Sequence, residues 1–155
     1  MINKNNINKI VNNKNIKIYI DGSYSLLTKE YSYGMVVVDS NLNILIYKKN
    51  GKGKNINAAN LRNVAGEMKG AMEAVSYCKK NNIKNVEIYY DYLGIEFWIT
   101  GKWKRKNIFT EKYYKYMINN MKNIKIYFNK IKSHSGNKWN DYADYLAKQA
   151  LKKNK

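Results

Sequence analysis

The chain has no proline, one cysteine and one histidine in 155 residues. With no proline, its turns must rest on Gly, Asn, Asp and Ser. The lone Cys78 excludes an internal disulfide; it falls within an apolar helical pattern and reads as a core thiol rather than a reactive one. No apolar run approaches the length of a membrane span, and no signal-peptide core stands near the start. A cytoplasmic, reducing compartment and no membrane partner are therefore expected. Acidic residues are also scarce: 11 Asp and Glu face 29 Lys and Arg, giving a net charge of +18. So positive a field favours a polyanionic partner, most commonly nucleic acid. A solvated lysine surface, from the heavy use of Lys, Asn and Ile throughout, is the plain alternative.

Hydrophobic residues at 45% and charged residues at 26% are ordinary for a soluble globular protein, and the length suits one domain with a real core. Residues 1–15 are polar, basic and poorly periodic and read as a loosely attached arm, leaving 16–155 as the domain. Ile16, Ile18 and Ile20 alternate with Lys17, Tyr19 and Asp21, a strand signature ending at Asp21. Strands over 33–38 and 44–49 flank the turn-forming Asp39-Ser40-Asn41 and predict a hairpin, with a loop over 50–60. Val64, Met68, Ala71, Met72, Val75 and Cys78 recur at helical spacing, and Asn81-Asn82 ends that helix. Then come a strand over 86–90, a short helix over 92–101, the basic loop KWKRK (102–106), a helix from about Thr110 to Met121, a strand over 124–128 and a closing helix over 139–152. Hairpin-joined strands followed by strand–helix alternation predict an α/β domain, a mixed sheet with helices packed on it.

Because acids are rare, their positions are informative. Asp21 and Asp91 each close a strand, where sites form in open α/β sheets, and each has a Tyr two residues earlier, Tyr19 and Tyr89. The competing reading for either is a turn former or helix cap. Glu67 falls inside the apolar arc of the first long helix, whereas Glu73 lies on its polar side. A carboxylate aimed at the sheet is costly unless something pairs with it. Stabilisation by the helix dipole competes, with Glu67 in the first turn. In the closing helix Asp144 lies beside Ala147 and Leu151, while Asp141 lies toward solvent near Lys148, where a surface ion pair accounts for it.

Four inward carboxylates without matching cations would repel one another, and a divalent metal resolves this. Oxygen ligands with neither thiolate nor clustered imidazole favour Mg²⁺ or Mn²⁺ over zinc. Two such ions, roughly 3.5–4 Å apart, would suit phosphodiester hydrolysis.

The motifs IDGSY (20–24), NVAGEMKGAMEAV (63–75), IYYDYLGIEFWITGKW (88–103) and KSHSGNKWNDYADYLAKQA (132–150) stand in order on these elements. Together they resemble the type 1 ribonuclease H family over nearly the whole chain after the arm. The resemblance implies the ribonuclease H-like fold: a five-stranded mixed sheet, with strands 1–3 antiparallel and strands 1, 4 and 5 parallel, flanked by helices. It implies metal ligation and catalysis by Asp21, Glu67, Asp91 and Asp144, with two Mg²⁺ ions per site and Mn²⁺ as a substitute. It makes His134 a loop histidine that shuttles a proton or aids product release. The implied activity is endonucleolytic hydrolysis of the RNA strand of RNA–DNA hybrids, leaving 3′-hydroxyl and 5′-phosphate ends, by a monomer whose partner is the hybrid. Departures from the family pattern are SLLTKEYSY (25–33) in place of a Gly- and Pro-rich loop, and a basic handle reduced to KWKRK.

Asn63 matches the family residue that reads the hybrid minor groove, although an N-cap role competes. Trp103 and Lys104 in the basic loop are candidates for DNA-strand phosphates, and Trp98 is expected in the core. Gly22, Ser23 and Asn140 complete the expected substrate contacts. The rival readings are a resolvase- or integrase-like nuclease on the same fold, a catalytically inactive hybrid-binding module, and a purely basic RNA-binding protein.

Overall fold

Five strands and four α-helices make up the protein in this computed structural model, which describes residues 15–58, 60–132 and 136–152. In chain order they are β1 (Ile16–Tyr24), β2 (Tyr31–Asp39), β3 (Ile44–Gly53), α1 (Asn63–Lys80), β4 (Asn85–Tyr90), α2 (Gly94–Thr100), α3 (Ile108–Asn120), β5 (Lys125–Lys130) and α4 (Lys138–Lys152), with a short 3₁₀ turn at Ile56–Ala58. The sheet order is β3-β2-β1-β4-β5. β1, β2 and β3 pair antiparallel, and β1, β4 and β5 pair parallel.

The period-two pattern of β1 explains how the layers form. Ile16, Ile18 and Ile20 point into the main core, where they meet Met68, Ala71, Ala74 and Val75 of α1 and Tyr113 and Met117 of α3. Tyr19 points the other way and packs with Val36, Val38, Ala143 and Leu146 beneath α4. β2 crosses between α1 and α4 and is buried along nearly all its length, as a strand covered on both faces must be. β3 is the exposed edge, where Lys48, Lys49 and Lys52 discourage further pairing. No described helix is long and apolar enough to cross a membrane.

Several boundaries differ from the expectation. β1 does not end at Asp21: its antiparallel pairing with β2 continues to Tyr24↔Tyr31, while its parallel pairing with β4 stops at Tyr19↔Tyr89. Asp21 therefore stands just past the parallel ladder but is still held by the antiparallel one. The stretch 50–53 is strand rather than loop, because β2 supplies partners out to Gly53. α1 begins at Asn63 with Arg62 at the cap position and no capping side chain, so Asn63 is not an N-cap. By contrast α3 opens on a complete capping box, in which Asn107 accepts from the Phe109 N–H at 2.6 Å and Thr110 stands opposite.

Candidate active site

Two glycines bring α1 onto the sheet. A Cβ on Gly22 would sit 2.1 Å from the Asn63 carbonyl oxygen and 2.5 Å from the Glu67 nitrogen; one on Gly66 would meet the Ser32 carbonyl oxygen at 1.8 Å. Only bare backbone allows this approach. It sets Glu67 directly against the residue that follows Asp21. Glu67 is the fifth residue of α1, beyond the first turn, so the helix dipole is not what holds it. The site holds it instead. Glu67 is 3% exposed, the Asp91 N–H donates to its Oε2 at 2.6 Å, and the Tyr92 N–H donates to its Oε1 at 3.1 Å.

That turn after β4 is braced from below. The buried Tyr90 hydroxyl donates to Glu96 at 2.7 Å, and the fully buried Tyr113 hydroxyl donates to the Ile95 carbonyl at 2.6 Å. Asp91, at the carboxyl end of β4, thus supplies a backbone donor to one carboxylate and its own carboxylate beside it.

On the other side of the sheet, Gly34 does for α4 what Gly22 does for α1: its absent Cβ leaves room for the Ala143 carbonyl, 2.0 Å from where that atom would lie. The buried Ser32 hydroxyl donates to the Ala147 carbonyl at 2.6 Å and pins the same helix. Asp144 comes within hydrogen-bonding reach of Asp21 as a result. Its Oδ2 accepts from Lys148 at 2.9 Å, an i,i+4 pair. Lys148, which the helical projection sets near Asp141, pairs with Asp144 instead, and Asp141 is exposed. Seven residues is nearly two full turns, too far along the axis for a direct contact.

The electrostatics follow from this crowding. Burial, then the neighbouring Asp144 and Asp91 charges, push the Asp21 carboxyl up to about 7, against the Gly22 N–H that donates to it at 2.9 Å. Burial pushes Glu67 up to about 8, with Asp21 and Asp91 adding to the rise and the two backbone donors opposing it. Two carboxyls, both strained toward neutrality by their surroundings and lying beside two more, form a strong cation-seeking environment. Among the described residues no three His, Cys, Asp or Glu side chains stand close enough together to hold a metal ion as they are. The donors themselves are all hard oxygens, the chemistry Mg²⁺ prefers.

The ribonuclease H family model matches residues 13–152. The chain belongs to the ribonuclease H family. It is 29% identical to the ribonuclease H of Prosthecochloris aestuarii (strain DSM 271 / SK 413) over 154 residues, covering 92% of this chain and 99% of the relative. Its fold is similar to that of RNase H1 from the halophilic archaeon Halobacterium salinarum NRC-1, with a TM-score of 0.74 at 16% identity, covering 89% of this chain and 98% of that one. LC11-RNase H1, solved in complex with an RNA/DNA hybrid, gives a TM-score of 0.73 at 18% identity, covering 89% and 97%.

Around these carboxylates the structure sorts the other residues singled out in the sequence. Gly22 is filled by the α1 backbone, so its part in the fold is close packing. Asn63 is exposed at the start of α1, on the helical turn that precedes Glu67. Ser23 is half-buried and pairs in register with Ser32. Asn140 is 3% exposed in the first turn of α4. Lys104 is exposed, but Trp103 is half-buried in an aromatic cluster, edge-on to Tyr92, Phe97 and Trp98. Arg105 is tied down as well, donating to the Trp98 carbonyl and Glu111 and stacking 3.6 Å from the Tyr114 ring centroid. His134 lies outside the described residues. Residues the sequence did not single out are Gly34, Gly66 and the donor N–H of Tyr92; their roles depend on contacts between elements, which carry no local signal.

Proposed function

We propose that this protein is a metal-dependent endonuclease that hydrolyses the RNA strand of RNA–DNA hybrids. The observation that carries the reading is the buried Glu67, fixed by two backbone donors beside Asp21 and Asp91 at the carboxyl ends of the parallel strands. A binding module would gain nothing from burying carboxylates against a polyanion. Membership of the ribonuclease H family and the RNA/DNA hybrid held by LC11-RNase H1 support the choice of substrate.

Asp21, Glu67, Asp91 and Asp144 would hold the metal, two Mg²⁺ ions with Mn²⁺ as a substitute. When bound, divalent metal supplies an activated water and charge stabilisation at the scissile phosphate. Glu67 keeps its orientation through the Asp91 and Tyr92 N–H groups, so its position does not depend on substrate. Asp144, whose Oδ2 accepts from Lys148, would be the ligand contributed by α4. Asn63 stands exposed on the helical turn before Glu67, placed to read ribose 2′-hydroxyls, the groups that separate RNA from DNA. Lys104 supplies a phosphate contact, and Trp103 supports that loop from within. His134 serves as a proton shuttle or as an aid to product release, and cleavage leaves 3′-hydroxyl and 5′-phosphate ends.

The test is incubation with RNA–DNA hybrid, double-stranded RNA and double-stranded DNA, each with Mg²⁺ and with EDTA. Cutting of the hybrid alone, abolished by EDTA, is expected. Equal cutting of duplex DNA would point to a resolvase-like nuclease, and tight hybrid binding without cleavage to an inactive module; either overturns the reading.

A further inference from the structure

On the side of the sheet that carries α4, that helix packs on β1, β2 and β3 and leaves β4 and β5 largely uncovered. Ile88, Ile126 and Phe128 point to the main core, so strand alternation sends Glu87, Tyr89, Lys125, Tyr127 and Asn129 to the open side. Lys17 and Tyr19 of β1 adjoin them there. At the amino ends of the strands lies a depression of about 340 Å³, bounded by Glu87, Tyr127 and Asn129.

The aromatic side chains here run from the small core beneath α4, to which Tyr19 belongs and against which Tyr89 packs, out to the exposed Tyr127. Tyr89 stacks on Tyr19 with centroids 4.7 Å apart and planes 13° apart. The Lys17 ammonium lies 5.4 Å from the Tyr89 centroid, and Lys125 lies 5.3 Å from that of Tyr127. Tyr127 is 47% exposed. Glu87, the acid of the depression, has its Oε1 occupied by the Tyr89 hydroxyl at 3.1 Å and the Asn129 amide at 3.3 Å. Flat aromatic faces flanked by cations match the two needs of an unpaired nucleotide, a π surface for the base and a positive charge for the phosphate. Net charge +18 favours a polyanion over a neutral peptide here.

We propose that this open face of β4 and β5 is a second nucleic-acid contact, where unpaired bases of a single strand stack on Tyr127 while Lys17 and Lys125 hold the flanking phosphates. Glu87 of β4 and Asp91, the residue just past its end, are four residues apart, roughly 13 Å. A single-stranded tail of a hybrid engaged at the carboxylates therefore needs only a few nucleotides to reach the shelf. The shelf would hold the enzyme at junctions between hybrid and single strand.

The test is the fluorescence anisotropy of a labelled twelve-nucleotide thymidine oligomer with the full chain in EDTA, where no cleavage is required. Tyr127→Ala weakens binding by about fivefold or more, and Tyr127→Phe, which keeps the ring, binds as the wild type does. Replacing Lys17 and Lys125 together by Ala lowers the salt dependence of binding. Cleavage of a blunt hybrid by each variant stays within about twofold of wild type, which also reports that the variants fold. Unchanged oligomer affinity for Tyr127→Ala overturns the proposal. So does an equal loss of blunt-hybrid binding, or a change in sedimentation without a change in oligomer affinity, which would mark the face as a protein contact. The binding assay is independent of catalysis, so its failure leaves the hydrolase reading untouched.

Discussion

Glu67 and Asp144 are delivered to the carboxylate cluster from opposite sides of the sheet, and the two are held in opposite ways. Each rides on a helix that a glycine admits to the sheet, Gly22 for α1 and Gly34 for α4. Glu67 is 3% exposed and fixed by backbone N–H groups that cannot move without unmaking the turn after β4. The Asp144 side chain is 22% exposed, and its recorded partner is a lysine side chain that is itself 57% exposed. The first arrangement is rigid and costly to desolvate; the second is adjustable and weakly held. A site built this way has one fixed wall and one that can follow the reaction.

If that contrast is real, Glu67→Gln and Asp144→Asn should differ most. Gln at 67 presents an amide nitrogen to one of two backbone donors and removes the negative charge this carboxyl would supply to a bound metal. Hybrid cleavage should fall about 10³-fold, the several kcal/mol a metal-held group contributes. Asp144→Asn keeps an oxygen at an adaptable position, and a loss of roughly tenfold to a hundredfold is expected. Single-turnover rates at saturating Mg²⁺ decide it. Equal losses would show that the lysine-paired aspartate is as fixed in its role as Glu67.

The glycines test the same contrast through the scaffold. Gly22→Ala drives a methyl into the Asn63 carbonyl and the Glu67 nitrogen, and Gly34→Ala drives one into the Ala143 carbonyl. Both contacts are with backbone, so a helix must shift, at a cost of about 2–4 kcal/mol. The stability losses, read by urea denaturation, should be similar. The activities of the folded fractions should not: displacing α1 misplaces the rigid Glu67, whereas displacing α4 moves an acid that already adapts. Matching residual activities would erase the distinction between the two walls.

How much of this could be read before folding depends on where each signal resides. Helical period alone turned Glu67 inward and separated Asp144 from Asp141, because side-chain direction on a helix is a local property. The hairpin turn was legible for the same reason, with Asp39 accepting from the Asn41 and Leu42 N–H groups as Asx turns do. The last residues of β3 were not, since Asn50 to Gly53 have poor strand propensity and become strand only through pairing with β2. The surroundings of Trp103 were not legible either: its basic neighbours gave no sign of the aromatic cluster it forms with Tyr92, Phe97 and Trp98. Glycines at 22, 34 and 66 look alike in the chain, and their purpose exists only where two elements meet.

The smallest expected effect concerns what the fixed wall costs. Asp21 is raised from 3.8 to about 7 and Glu67 from 4.5 to about 8, so between these limits the folded protein binds more protons than the unfolded chain. Stability of the metal-free protein then falls as pH rises, being greatest from these groups below about pH 4 and lost through pH 7–8. Asp21→Asn removes one of these titrations yet keeps an oxygen for the Gly22 N–H. In EDTA the variant should be more stable than wild type at pH 8, by on the order of 1–2 kcal/mol, with the advantage shrinking toward zero near pH 4. Comparing the two proteins cancels the general acid response of so basic a chain. Mg²⁺ should stabilise wild type more than the variant at pH 8, because only wild type keeps all four carboxylates for the ion to neutralise. Parallel urea-denaturation profiles across pH 4–8, with and without Mg²⁺, would mean that Asp21 is comfortable as an anion in the fold. The cluster would then lack the charge strain that draws a metal ion to it.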